Sequence, residues 1–123
     1  MTRVTRALRN EERDLLCALA EHDPQHSTEY RNHIAAVVNV EDWNDGTHSI
    51  TIVPSRNKEI RVEAVAEDED GERIQIIFWA DEGRVCLLEM LRGDDNPVKR
   101  YPARSSLKEI EDYQGNPRPA GWL

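Results

Sequence analysis

Residues 59–91 read EIRVEAVAEDEDGERIQIIFWADEGRVCLLEML, and the alternation inside this stretch decides the fold. Ile60, Val62, Ala64 and Ala66 alternate with Arg61, Glu63 and Glu67, and Ile74, Ile76 and Phe78 alternate with Arg73 and Gln75. A period of two marks half-buried strands, because successive side chains on a strand point to opposite faces. Between the runs, Glu69-Asp70-Gly71 and Asp81-Glu82-Gly83 fit a type I turn followed by glycine at positive φ, the three-residue hairpin that ends in a bulge. Two such hairpins in tandem make a meander.

The turns also set the register. With Asp68 facing Glu72 and Ala80 facing Arg84, counting back pairs Ala66 with Ile74, Ala64 with Ile76 and Val62 with Phe78; it then pairs Phe78 with Cys86, Ile76 with Leu88 and Ile74 with Met90. That face is apolar throughout. The opposite face carries Arg61, Glu63, Arg73, Gln75 and Glu89, but also Val65 and a second apolar cluster, Ile77, Trp79, Val85 and Leu87. An aromatic anchor among aliphatic neighbours has the composition of an interface. The C-terminal segment, through Leu107, Ile110, Tyr113 or Trp122, is the expected cover, with homodimerisation the next candidate.

Upstream, residues 2–9 are basic and read as an extended segment or extra strand. Asn10 fits an N-cap, Glu11 and Glu12 sit where carboxylates favour the helix dipole, and Leu15, Leu16, Leu19 and Ala20 form one stripe, predicting a helix over 11–21 that Asp23-Pro24 ends. Ser27 or Thr28 caps a shorter helix with Tyr30, Ile34 and Val37 on one side. Val38 and Val40, then Asn44-Asp45-Gly46, then Ile50 and Ile52 repeat the hairpin pattern. After Leu91 the chain is turn-rich, and Ser106-Leu107-Lys108-Glu109 has capping-box spacing that predicts a short helix. The expected architecture is a single α+β domain over residues 1–123. Two N-terminal helices pack on a five-stranded antiparallel meander, and a short C-terminal helix or arm, partly flexible, occupies 104–123.

A net charge of −8 argues against nucleic-acid binding, which needs clustered Lys and Arg. Two cysteines, both in apolar patterns, read as free and buried. No signal peptide, lipidation motif or apolar run of about twenty residues is present, so a cytoplasmic protein away from the membrane is expected.

The chain resembles a family of small uncharacterised bacterial proteins known only as a domain of unknown function. Residues 6–12 (RALRNEE) with Leu15 and Leu16, Asp45-Gly46 with Ser49, residues 67–71 (EDEDG), Gly83-Arg84-Val85 with Leu88 and Glu89, and the stretch Pro97 to Pro102 carry the resemblance. It spans residues 3–102 and departs after Glu89, where the family tends to carry Asp and Trp and this chain has Met90 and Leu91. The resemblance implies an α+β fold and supplies no catalytic residue.

Alternate turns of a meander lie at the same end, so Asp42, Asp45, Glu67, Asp68, Glu69, Asp70, Glu72, Asp94 and Asp95 are expected to converge on one acidic rim. Such a rim steers a basic protein partner. The plainer account is that acidic residues favour turns and keep sheet ends soluble, and Arg92, Lys99 and Arg100 are positioned to fold back and neutralise it. No metal site is indicated: a calcium loop read around Gly71 fails at Ala66 and Ile77, and Pro24 interrupts the spacing of His22 and His26. No phosphate loop, nucleophile elbow or defined carboxylate pair is present, so no catalytic residue and no cofactor is assigned. The reading is a non-enzymatic interaction module, immunity- or inhibitor-like, that binds a basic partner through the rim. The alternatives are a small enzyme or ligand-binding domain with a helix–sheet pocket near Tyr30, His33 or Trp43, and a structural homodimer.

Overall fold

The computed structural model describes residues 2–112. In chain order these form strand β1 (Val4–Ala7), helices α1 (Asn10–Ala20) and α2 (Ser27–Ala36), and strands β2 (Asn39–Asp42), β3 (Ile50–Thr51), β4 (Glu59–Glu67), β5 (Arg73–Asp81) and β6 (Arg84–Arg92). A 3-10 turn at Arg104–Ser106 and strand β7 (Lys108–Asp112) come next. The class is α+β, and the strands make one seven-stranded sheet ordered β1-β2-β3-β6-β5-β4-β7, antiparallel at every pairing. Five strands in sequence were expected. The basic lead-in supplies one extra strand against β2, and the segment after Leu107 supplies another against β4.

The β4–β5 hairpin obeys its turn chemistry. Gly71 sits at φ +87°, its N–H bonds Asp68 O at 2.9 Å, and Ala66, Ala64 and Val62 face Ile74, Ile76 and Phe78 as counted from the sequence. The β5–β6 hairpin differs. Asp81 faces Arg84, leaving a two-residue loop with Glu82 at φ +48°, and a bulge at Cys86 separates the pair Ala80–Val85 from the pair Trp79–Leu87. Together these changes move the register by two residues, so Phe78 faces Leu88, Ile76 faces Met90 and Ile74 faces Arg92. A two-residue shift keeps every side chain on its face, and Leu88 and Met90 remain in the core. Val85 lies ahead of the bulge and is therefore turned into the core, fully buried, rather than joining Ile77, Trp79 and Leu87 on the opposite face.

Strand β3 lies beside β6 and not beside β4, which makes a Greek-key arrangement instead of a consecutive ribbon. Residues 52–58 carry the chain past Cys86 of β6 and Asp81 of β5 to the start of β4. The Ile52 and Val53 N–H groups both donate to Cys86 O, and the Ser55 hydroxyl donates to Asp81 Oδ2 at 2.8 Å. At the other end Ser49 Oγ accepts the Met90 N–H at 3.0 Å, which fixes β3 on β6.

Both helices cover one sheet face, where Leu15, Leu16, Leu19, Tyr30 and Ile34 join Val62, Ile76, Phe78 and Leu88 in one core. Helix α1 is capped one residue earlier than expected, because the Glu12 carboxylate accepts the Arg9 N–H at 2.8 Å. The Arg6 guanidinium bonds both Glu12 oxygens and Asp42 Oδ2, tying the first turn of α1 to the β1–β2 edge. Arg13 donates to the carbonyls of Ile34 and Val37 at the end of α2, where Ile34 O also accepts the Val37 N–H. The expected C-terminal helix is absent as far as residue 112. Ser106 Oγ closes the 3-10 turn against Ala103, Leu107 is extended (ψ 134°), and residues 108–112 add to the β4 edge.

Helix α2 grips the β5–β6 turn. Glu29 packs so close to Gly83 that a Cβ there would lie 2.2 Å from its carboxylate, and His33 Nδ1 accepts the Val85 N–H at 2.9 Å. That bond requires the neutral ring with its proton on Nε2. Burial, aided by the nearby Arg84 charge, holds the His33 pKa below its ordinary value. A depressed pKa means the unfolded chain takes the proton first, so the His33 contribution is complete above about pH 6.5 and is lost as pH falls through the lowered value. Thermal midpoints measured between pH 7 and 5 are expected to decline more steeply in the native protein than in His33→Asn, whose side-chain oxygen preserves the acceptor without titrating. Equal slopes would remove His33 from this role.

Candidate functional site

Because every neighbouring pair is antiparallel, residues 43–49, residues 68–72 and the chain leaving β6 emerge at the same end of the sheet, whatever the strand order. Arg92, the last residue of β6, occupies the centre of that end with its side chain 4 % exposed. Its guanidinium meets three carboxylates: Asp68 Oδ2 at 2.7 Å, Asp70 Oδ2 at 2.6 Å and Asp94 Oδ1 at 2.7 Å. Lys99 Nζ adds a contact to Asp70 at 3.2 Å. Asp68 is fully buried and also accepts the N–H groups of Glu69 (2.7 Å), Lys99 (2.8 Å) and Arg100 (2.8 Å). The Val98 N–H bonds Gly46 O, and His48 Nε2 lies 3.1 Å from Val98 O, so the three loops form one connected layer.

Burial pushes the Asp68 carboxyl upward, but the Lys99 and Glu69 N–H groups and the Arg92 guanidinium outweigh it and hold the group below the usual carboxylate range. Arg92 is the main cause of the strong depression at Asp70 and Asp94, with the Glu72 N–H assisting at Asp70 and the Asn96 side chain at Asp94.

Of the expected rim, the structure therefore brings together Asp68, Asp70 and Asp94 around an internal cation. Glu67 pairs with Lys108 at 3.4 Å, and Asp45 accepts the N–H and hydroxyl of Thr47 at the same end. Glu69 and Asp95 are exposed there and Glu72 half-buried. Asp42 does not join them, being held by Arg6 on the β1–β2 edge. The sequence placed Arg92 near the rim; its burial was not legible, although an arginine closing a largely apolar strand between acidic turns is a signal for it. Among the described residues no group of three or more His, Cys, Asp or Glu could hold a metal ion. Burial raises the thiol pKa of both free cysteines, Cys17 and Cys86.

The helix-free face carries the second apolar cluster. Ile77 and Leu87 are buried (4 % and 6 % exposed), and the half-buried Trp79 donates its indole N–H to Glu89 at 3.1 Å. Leu107 and Ile110 pack against the helix-side core instead of crossing this face, and Tyr113 and Trp122 lie outside the described residues. Trp43 extends the aromatic surface: its indole N–H bonds Thr51 Oγ1 at 2.9 Å, and Arg3 stacks over its ring at 4.6 Å. Between Trp43 and residues 53–58 lies a cleft of about 560 Å³. The three residues considered for a helix–sheet pocket are separated: Tyr30 is buried edge-on against Phe78 with its hydroxyl on Asp23, His33 is bonded to Val85, and Trp43 is on the other face.

Arg92→Met would strand the buried Asp68 charge and is expected to lower the thermal midpoint at pH 7 by on the order of 10 °C. The depressed carboxyls stabilise the fold fully above about pH 5 and progressively less as pH falls through 4, where the unfolded chain protonates first. In a pH series of midpoints, the acid fall should be shallower in Arg92→Met than in the native chain; an unchanged midpoint at pH 7 would contradict the structural role of Arg92.

Among the described residues no helix is long and apolar enough to cross a membrane. Comparison with curated proteins and with solved structures gives no match. A family match spans residues 5–102, from β1 through both helices and β6 to the segment pinned by Asp68, leaving the 3-10 turn and β7 outside. On that match the chain belongs to the family described as Domain of unknown function (DUF6984).

Proposed function

We propose that this chain is a non-enzymatic protein-interaction module, cytoplasmic and immunity- or inhibitor-like, that receives a basic partner on the loop end of its sheet. The observation carrying this reading is the Arg92 layer, which fixes three loops in one arrangement. Asp45, Glu69 and Asp95 project from that layer to solvent, and Asp70 and Asp94 each keep about a third of their side chains exposed. The carboxylates at this end outnumber the cations Arg92, Lys99, Arg100 and Lys108. Acids held on a rigid frame lose little freedom on binding, so preorganisation favours affinity, and the surplus negative potential favours encounter.

The test is a titration with a lysine-rich peptide of about a dozen residues, monitored by backbone amide shifts. Shifts should concentrate on residues 69–72 and 94–96. Glu69→Gln/Glu72→Gln/Asp95→Asn should weaken binding about tenfold, whereas Glu11→Gln/Asp14→Asn/Glu21→Gln, which removes equal charge from α1 and its C-cap, should change it by less than about twofold. Equal losses in the two triple variants, or affinity indifferent to added salt, would overturn the reading.

A further inference from the structure

We propose that the cleft on the helix-free face binds a small aromatic carboxylate, its ring against Trp43 and Leu87 and its charge beside Arg56 and Lys58. The cleft exists because β3 has only two residues. The chain then leaves the sheet at Ile52 and loops through Pro54 and Ser55, so that Thr51 and Leu87 form a floor with Trp43 on one side and residues 53–58 on the other. The bulge at Cys86 lets the Ile52 and Val53 N–H groups share the Cys86 carbonyl, which sets the angle at which that wall departs. A cleft of about 560 Å³ falls in the range of small-molecule sites, and its lining joins apolar side chains with polar groups that can orient a ligand.

Charge selects the ligand class. Arg3, Arg56 and Lys58 all border the cleft. Arg3 is engaged by Glu41 at 3.0 Å, but Arg56 and Lys58 form no ion pair among the described residues. Lys58 Nζ is held by the Ser55 carbonyl at 3.2 Å and lies 5.8 Å from the centre of the Trp79 ring. In a chain with 24 acidic and 16 basic residues, two cations left without carboxylates beside an aromatic cleft are complementary to an anion with an apolar body. The ring of such a ligand gains stacking and area burial on Trp43 and Leu87, and its carboxylate gains charge-assisted hydrogen bonds from donors already positioned. This site is independent of the acidic end and opposite to it in charge.

The probes are 2-naphthoate and its neutral isostere 2-naphthamide, titrated into the whole chain while the indole N–H signals of Trp43 and Trp79 are tracked by NMR. Each indole has its own acceptor, Thr51 for Trp43 and Glu89 for Trp79, so the two signals report separately on the Trp43 wall and on the surface beside Lys58. Naphthoate should move the Trp43 signal saturably at millimolar or lower concentration, and the amide should bind about tenfold more weakly. Arg56→Gln/Lys58→Gln, a change of surface side chains, should abolish the preference for the acid while leaving the amide affinity unaltered; Trp43→Ala should weaken both ligands. Equal affinity for acid and amide, no saturable shift, or a preference that survives the double substitution would each overturn the proposal.

Discussion

The pairing of Arg92 with Asp68 sets the conditions for the rest of the molecule. Burying two charges costs several kcal/mol unless geometry and extra hydrogen bonds compensate, and here the compensation serves a second purpose. Between the end of β6 and the start of β7, residues 93–107 carry only a 3-10 turn of regular structure, yet Val98 and Pro102 are buried. Buried backbone donors need acceptors, and the Asp68 carboxylate accepts those of Lys99 and Arg100 as a neighbouring strand would. Arg92 holds that carboxylate charged and oriented, so one side-chain pair substitutes for a missing ladder and closes the end of the core.

The elements that local chemistry dictates were legible in the sequence. The β4–β5 register comes from Gly71 alone, and the face assignment of Leu88 and Met90 survived a wrong loop length because the bulge at Cys86 brought the total register error to an even number of residues. Strand order was not legible, since β3 is antiparallel whether it lies beside β4 or β6, and no local signal separates the two. The deciding contacts are tertiary: Ser49 on Met90, and Ser55 on Asp81 at the end of β5. The C-terminal prediction failed for a related reason. Residues 106–109 satisfy a capping box on paper, but the open edge of β4 offers a ladder, and Lys108–Asp112 takes it.

Site residues were legible as a composition and not as a state. Counting turn carboxylates correctly sent most of them to one end, because parity in an antiparallel sheet does not depend on strand order. Composition could not say that Asp68 faces inward or that Asp42 shares Arg6 with Glu12. The cations of the cleft were harder still. Arg3, Arg56 and Lys58 lie on the lead-in to β1 and on the loop after β3, and they meet only because β3 ends early.

A net charge of −8 argues against an anionic ligand only if the whole surface acts as one, and a ligand responds to the local field. Ile74, at the acidic end, and Trp79, beside Lys58, are five residues apart on β5, a separation of roughly 16 Å along the strand. At physiological salt the Debye length is about 8 Å, so the field of the carboxylate layer is largely screened at the cleft. Arg92 and Lys99 weaken it further by offsetting two of the three charges of Asp68, Asp70 and Asp94 where they stand. The arginine that closes the core thus also confines the negative potential to the loop end, and surfaces of opposite sign can act independently on a single sheet.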